Sequence, residues 1–198
     1  MRGAGGRAIH EAMILALGLL LFATAHLWRR LAPAGRARAG PAGKGVVAVA
    51  SVAGVWLMAR GYGAWDGAPA WWGRTAALTH ANNLLVALAF YLFVASGART
   101  AAARAVRHPQ LLAVVLWAGA HLLVNGDAPS LLLFGGLGLW ALVTLALVAR
   151  APGPAHVPGP ALVPATAWGR EAAALLLTAA ALAGAVWLHG RIGPWPLG

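Results

Sequence analysis

Seven histidines and no cysteine define the chemistry open to this 198-residue chain. His26, His80 and His121 each lie inside a run made otherwise of Leu, Val, Ala and Phe, the kind of segment in which an unpaired polar group costs several kcal/mol in hydrocarbon. On a helix, Ala118, His121 and Asn125 share a face at i, i+3 and i+7 with Trp117 beside it, and His80 shares one with Asn83. A lone membrane histidine satisfies itself on a backbone carbonyl or a neighbouring hydroxyl. Three of them weaken that explanation. Without cysteine, disulfides, zinc thiolate sites, iron–sulfur clusters and thiolate-ligated haem are excluded. Two imidazoles from different helices remain as a way to hold a haem iron axially. The small residues Ala118, Gly119 and Ala120 leave room for a flat macrocycle or, as is commoner, for a close neighbouring helix. His10, His108 and His189 fall near helix ends and His156 in a proline-rich loop, where an imidazole reaches water.

Other chemistries fall away. The chain has no P-loop, no HExxH and no GxSxG, and its four acids are too few for paired acid–base work, so hydrolase and kinase readings are rejected. A transporter has little support, because no charged residue falls in mid-membrane to mark a path.

The elements that carry these histidines are membrane helices. The composition is 61% hydrophobic and 10% charged, against about 25% charged for a soluble domain, and the mean hydropathy is +0.73. The fold class read from this is all-α, a polytopic membrane helix bundle in a single domain over 1–198. Six segments, at about 9–29, 45–64, 76–97, 109–125, 129–149 and 170–189, span or nearly span a core that takes ~20 helical residues. The fourth reaches only ~25 Å and needs a thinned bilayer or burial by its neighbours. LAPAGRARAGPAGKG at 31–45, GAWDGAPAWWGR at 63–74 and RAPGPAHVPGPALVPATAWG at 150–169 punctuate the spans. The stretch 151–165 reads as a flexible or extended loop, and no internal repeat is evident. Between the fourth and fifth segments lies only Asn125-Gly126-Asp127-Ala128, which predicts a left-handed Gly126, an Asp127 cap and a tight antiparallel hairpin. Glu11 and Glu171 are expected in first turns, where the helix dipole favours them, and Asp66 in a loop.

Fifteen Lys and Arg give a net charge of +11. They fall between apolar runs and form no basic face with stacking aromatics, so they read as topology signals; nucleic acid is rejected as a partner and the lipid bilayer expected. Ten lie on one side of a six-helix arrangement (Arg29, Arg30, Arg36, Arg38, Lys44, Arg99, Arg104, Arg107, Arg150, Arg170) and five on the other (Arg2, Arg7, Arg60, Arg74, Arg191). That predicts a multi-pass membrane protein with both termini outside the cytoplasm and Trp65, Trp71, Trp72 and Trp195 at the outer interface. A cleavable signal ending at Ala23-Thr24-Ala25 is the rival for the first segment; Arg29 and Arg30 directly after it favour a retained anchor.

The run RHPQLLAVVLWAGAHLLVNGDAPSLLLFGGLGLWAL, from Arg107 to Leu142, resembles the signature of the NnrU family of bacterial integral membrane proteins: His-Pro, Trp-x-x-x-His-Leu, Asn-Gly-Asp, then a Phe-Gly helix. FATAHLWRR, ARGYGAW and the run ending VASGA extend the likeness over roughly 10–150, and the last helix matches only loosely. The resemblance implies an association with nitric oxide metabolism and denitrification. The family is also similar to plant zeta-carotene isomerase, a haem b membrane enzyme. Its two haem-ligating histidines match His26 and His121, while its cysteine falls on Ala118, so thiolate exchange is impossible here.

Helical rise argues against that pair. His26 lies ~5 Å from Arg29 and His121 ~18 Å along from Pro109, which puts them at different depths; His80 matches the depth of His121 better. His26 and His121 stand as the first axial pair on the resemblance, with His80 the substitute and Trp117 and Asn125 beside the cofactor. Two functions follow. One is a haem b protein acting as a sensor, oxidoreductase or isomerase on a small redox molecule or apolar isoprenoid. The other is a haem-free accessory or scaffold protein for nitrogen-oxide reductase assembly.

Overall fold

The computed structural model describes residues 2–150 and 168–192. The loop expected over 151–165, with His156, and the interfacial Trp195 lie outside the described residues. The helices are α1 (Arg2–Leu31), α2 (Pro33–Arg38), α3 (Ala42–Ala64), α4 (Ala76–Ala98), α5 (Ala101–Arg104), α6 (Pro109–Val124), α7 (Ala128–Ser130), α8 (Gly136–Arg150) and α9 (Trp168–Ile192). A π turn at Leu131–Gly135 joins α7 to α8 without a break. Among the described residues, five helices are long and apolar enough to cross a membrane, and α6 is the short sixth. The chain is thus an all-α, polytopic helical membrane protein. Its exposed side chains include Leu17, Leu20, Val49, Val52, Leu84 and Leu176, as hydrocarbon solvent favours.

Local departures from the sequence reading have physical causes. α1 begins at Arg2, so Glu11 lies in its interior, outside any first turn, with one carboxylate oxygen 3.4 Å from the His10 Nδ1. The stretch after Leu31 is a one-and-a-half-turn helix, opened by Pro33 at its first position, where proline's missing N–H costs nothing. The π turn had no sign in the sequence. Within it Phe134 is buried against Tyr62, ring centroids 5.9 Å apart.

The residues fall into two compact units. The first comprises Met1–Gly73 and Asn125–Leu147. In it α1 packs on α3 through a seam of glycines: a Cβ on Gly61 would stand 2.6 Å from the Leu15 N, and one on Gly18 2.7 Å from the Gly54 carbonyl. Backbone meets backbone there, as small residues permit in membranes. Leu15, Leu19 and Met58 form the core beside the seam, with Phe22, Tyr62 and Leu137 against it.

The second unit comprises Arg74–Val124 and Val148–Gly198. Thr75 caps α4, accepting from the Leu78 N–H at 3.2 Å. α6 packs on α4 through Ala113 against Ala89 and Leu92. α9 lays Glu171, Ala174 and Thr178, a stripe at i, i+3 and i+7, into the interior. Glu171 is in the first turn of α9, as expected, yet only 4% exposed. Its carboxylate accepts from the Tyr91 hydroxyl at 3.0 Å and from the Ala101 N–H at 2.6 Å, which fastens the α4–α5 turn to α9. Glu171→Ala removes the acceptor from the buried Ala101 N–H and the half-buried Tyr91 hydroxyl and is expected to cost about 3 kcal/mol. Glu171→Gln keeps an acceptor and should cost about 1 kcal/mol in the same detergent unfolding titration.

The Asn-Gly-Asp junction belongs to the first unit and corrects one expectation. Gly126 does not take a positive φ. It is glycine because the Trp72 indole lies on it, where any Cβ would collide with the ring. In the second unit α6 packs on α4, and in the first the helical run after the junction packs on α1. The tryptophan-rich segment grips the junction, with the Trp71 N–H donating to the Gly126 carbonyl at 2.9 Å and Ala70 bridging Asp127. Asp127 does cap the next helix, its Oδ1 accepting from the Ser130 N–H at 2.8 Å. Ser130, fully buried, bonds its hydroxyl to that of Tyr62 at 3.0 Å. Asp127→Ala is expected to lower stability by about 1 kcal/mol and Asp127→Asn by a few tenths, read as thermal midpoints in detergent.

Candidate haem-ligating histidines

His26 lies in the last two turns of α1. Its Nδ1 is 2.9 Å from the Phe22 carbonyl. A carbonyl only accepts, so Nδ1 carries the proton and Nε2 of the neutral ring bears the lone pair. The Phe22 ring stacks on the imidazole at 4.1 Å, and the Trp140 indole meets both rings edge-on, at 5.1 Å from Phe22 and 5.3 Å from His26. The ring of His26 remains exposed. Trp140 Nε1 is a buried donor without an acceptor among the described residues.

His121, in the second unit, repeats this arrangement. Its Nδ1 is 2.8 Å from the Trp117 carbonyl, again four residues back, and its ring lies 4.7 Å from the Trp117 ring. Here too Nε2 is the lone-pair nitrogen. The side chain is half-buried, and His189 and Arg74 are within its electrostatic reach. The likeness has a sequence cause that went unread: FATAHL at 22–27 and WAGAHL at 117–122 share aromatic-Ala-x-Ala-His-Leu. The alanines leave the aromatic and the histidine to stack one turn apart on the same face.

The remaining residues divide. His80 lies nine residues before Ala89 and His121 eight after Ala113, about 13.5 and 12 Å along helices that pack at those alanines. The His80 ring is exposed. Asn83 accepts from the Asn82 amide at 3.0 Å, while the buried Asn82 Oδ1 has no partner among the described residues. Asn125 does not share a helical face with His121: α6 ends at Val124 and Asn125 belongs to the junction. Ala118 and Ala120 are buried and Gly119 is open, with nothing within 4 Å of where its Cβ would stand. Trp140 and His189 were missed, since neither stands near its histidine in sequence. No group of three or more metal-binding side chains occurs among the described residues.

A family model described as NnrU protein matches residues 14–196. No curated protein and no solved structure matches the chain.

Proposed function

From the premise that this chain belongs to the NnrU family, we propose that it is a haem b membrane protein in which histidine would hold the iron, with His26 and His121 the candidate ligands and His80 the substitute. The observation that carries this is the repeated aromatic-Ala-x-Ala-His-Leu geometry. In both copies a backbone carbonyl fixes the proton on Nδ1 and leaves Nε2 as the donor nitrogen, the arrangement that metal-bound histidines adopt. The unsatisfied Trp140 N–H beside His26 suits a polar group of a bound cofactor. Haem would supply redox or Lewis-acid chemistry at iron. The protein's own part is to orient the imidazoles, to stack aromatics on them and to keep water from the iron with the apolar helices around them. The family resemblance supports a setting in nitric oxide metabolism, with a small redox molecule or an apolar isoprenoid as substrate. With alanine at 118, an isomerase-like reaction would run without a thiolate.

The same bonds favour a second reading. A histidine whose Nδ1–H is satisfied by its own helix needs no cofactor to be tolerated in a membrane, as an accessory protein for nitrogen-oxide reductase assembly would require. An absorption spectrum decides between them. Protein purified in detergent from haem-replete cells should show a Soret band at one haem or less per chain, restored by haemin titration after stripping. A fully helical protein that stays colourless through that titration would leave the accessory reading.

A further inference from the structure

The first unit contains a feature unrelated to the histidines. Between the end of α1 and the start of α3 runs an open groove of about 430 Å³, walled by Leu21, Ala25 and Trp28 on one side and Val46, Val47 and Ala50 on the other. Its one side-chain hydroxyl, that of Thr24, is turned onto the Leu20 and Leu21 carbonyls at 2.7 and 3.2 Å, so the groove presents a mostly apolar surface. Five cations, Arg29, Arg30, Arg36, Arg38 and Lys44, stand on the segment that closes its end. No acid occurs between Glu11 and Asp66, and among the described residues none of the five pairs with a carboxylate.

Topology signals need only lie on the correct side of the bilayer, yet Arg36 is fixed in place. Its guanidinium donates to the Gly40 carbonyl at 3.0 Å, lies 5.9 Å from the Trp28 ring, and occupies the space that a Cβ on Gly43 would fill, 2.6 Å from Nη1. Holding an arginine so costs rotamer entropy, and most of its five donors remain to form a fork for an oxyanion. An apolar trough ending at a positioned guanidinium and a cluster of unpaired cations is complementary to one chemistry: an acyl chain with a phosphate at its head.

We propose that this groove binds an anionic phospholipid, with its acyl chain along α1 and α3 and its phosphate on Arg36. The test is native mass spectrometry of the intact protein released from nanodiscs containing equal phosphatidylglycerol and phosphatidylcholine. One phosphatidylglycerol should be retained preferentially. Arg36→Gln should lower that retention about fivefold, the factor that one cation near an anionic surface is worth, while Arg38→Gln changes it less. Ala50→Phe, which fills the trough and leaves every charge in place, should abolish it with unchanged helical circular dichroism. Equal retention of the two lipids, equal effects of Arg36→Gln and Arg38→Gln, or full retention in Ala50→Phe would overturn the proposal. None of these readouts depends on haem.

Discussion

Gly61→Val should part α1 from α3 and lower the stability of the first unit by about 3 kcal/mol, the upper end of what overpacking costs. The added Cβ would stand 2.6 Å from the Leu15 N and 2.9 Å from the Glu11 carbonyl, and both are helix backbone that cannot swing aside. Hydrocarbon offers little hydrophobic drive for helices to pair, so close contact along Gly18, Gly54 and Gly61 is what holds these two together. Gly63→Ala, two residues on, meets nothing within 4 Å and should be neutral or slightly stabilising. The two variants are compared by unfolding in mixed detergent. Equal midpoints would mean that the seam carries no part of the stability.

The second large effect concerns the proposed haem. His26→Ala and His121→Ala are each expected to cut haem retention at least about tenfold, because even residues that only support a metal ligand cost that much when removed. Each variant keeps its carbonyl at position 22 or 117, and added imidazole should restore part of the Soret band by supplying the missing nitrogen. His80→Ala serves as the comparison and should leave the band in place. Loss of the band in His80→Ala with retention in His26→Ala would move the ligand to the substitute position. Unchanged spectra in all three would remove histidine ligation altogether.

The legibility of this site was uneven. His26, His80 and His121 could be picked from the sequence because an imidazole inside an apolar run is costly, a local fact that needs no fold, and the choice of His26 with His121 among them came from the family resemblance. The shared geometry of that pair was equally local, written in FATAHL and WAGAHL, and was overlooked because a six-residue likeness is too short to look like a repeat. Asn125 was misplaced for a different reason. Helical periodicity extrapolates a face past the point where the helix stops, and nothing in Val124-Asn125-Gly126 fixes that point until Trp72 covers Gly126.

By itself the sequence determined the membrane class, the approximate spans, the exclusion of thiolate chemistry and the family. The first three follow from composition and from patterns within one helix length, where transfer free energy and the 1.5 Å rise suffice, and the family rests on the resemblance of the run from Arg107 to Leu142. Tertiary structure alone decided that Trp140 stacks on His26, that Glu171 fastens a turn seventy residues away, and that the helices flanking Asn-Gly-Asp belong to different units. Those outcomes depend on which helix faces meet. In a chain that is apolar on nearly every face, hydropathy marks no preferred face, and the choice falls to shape: a glycine seam, a capped turn, an indole over a bare backbone.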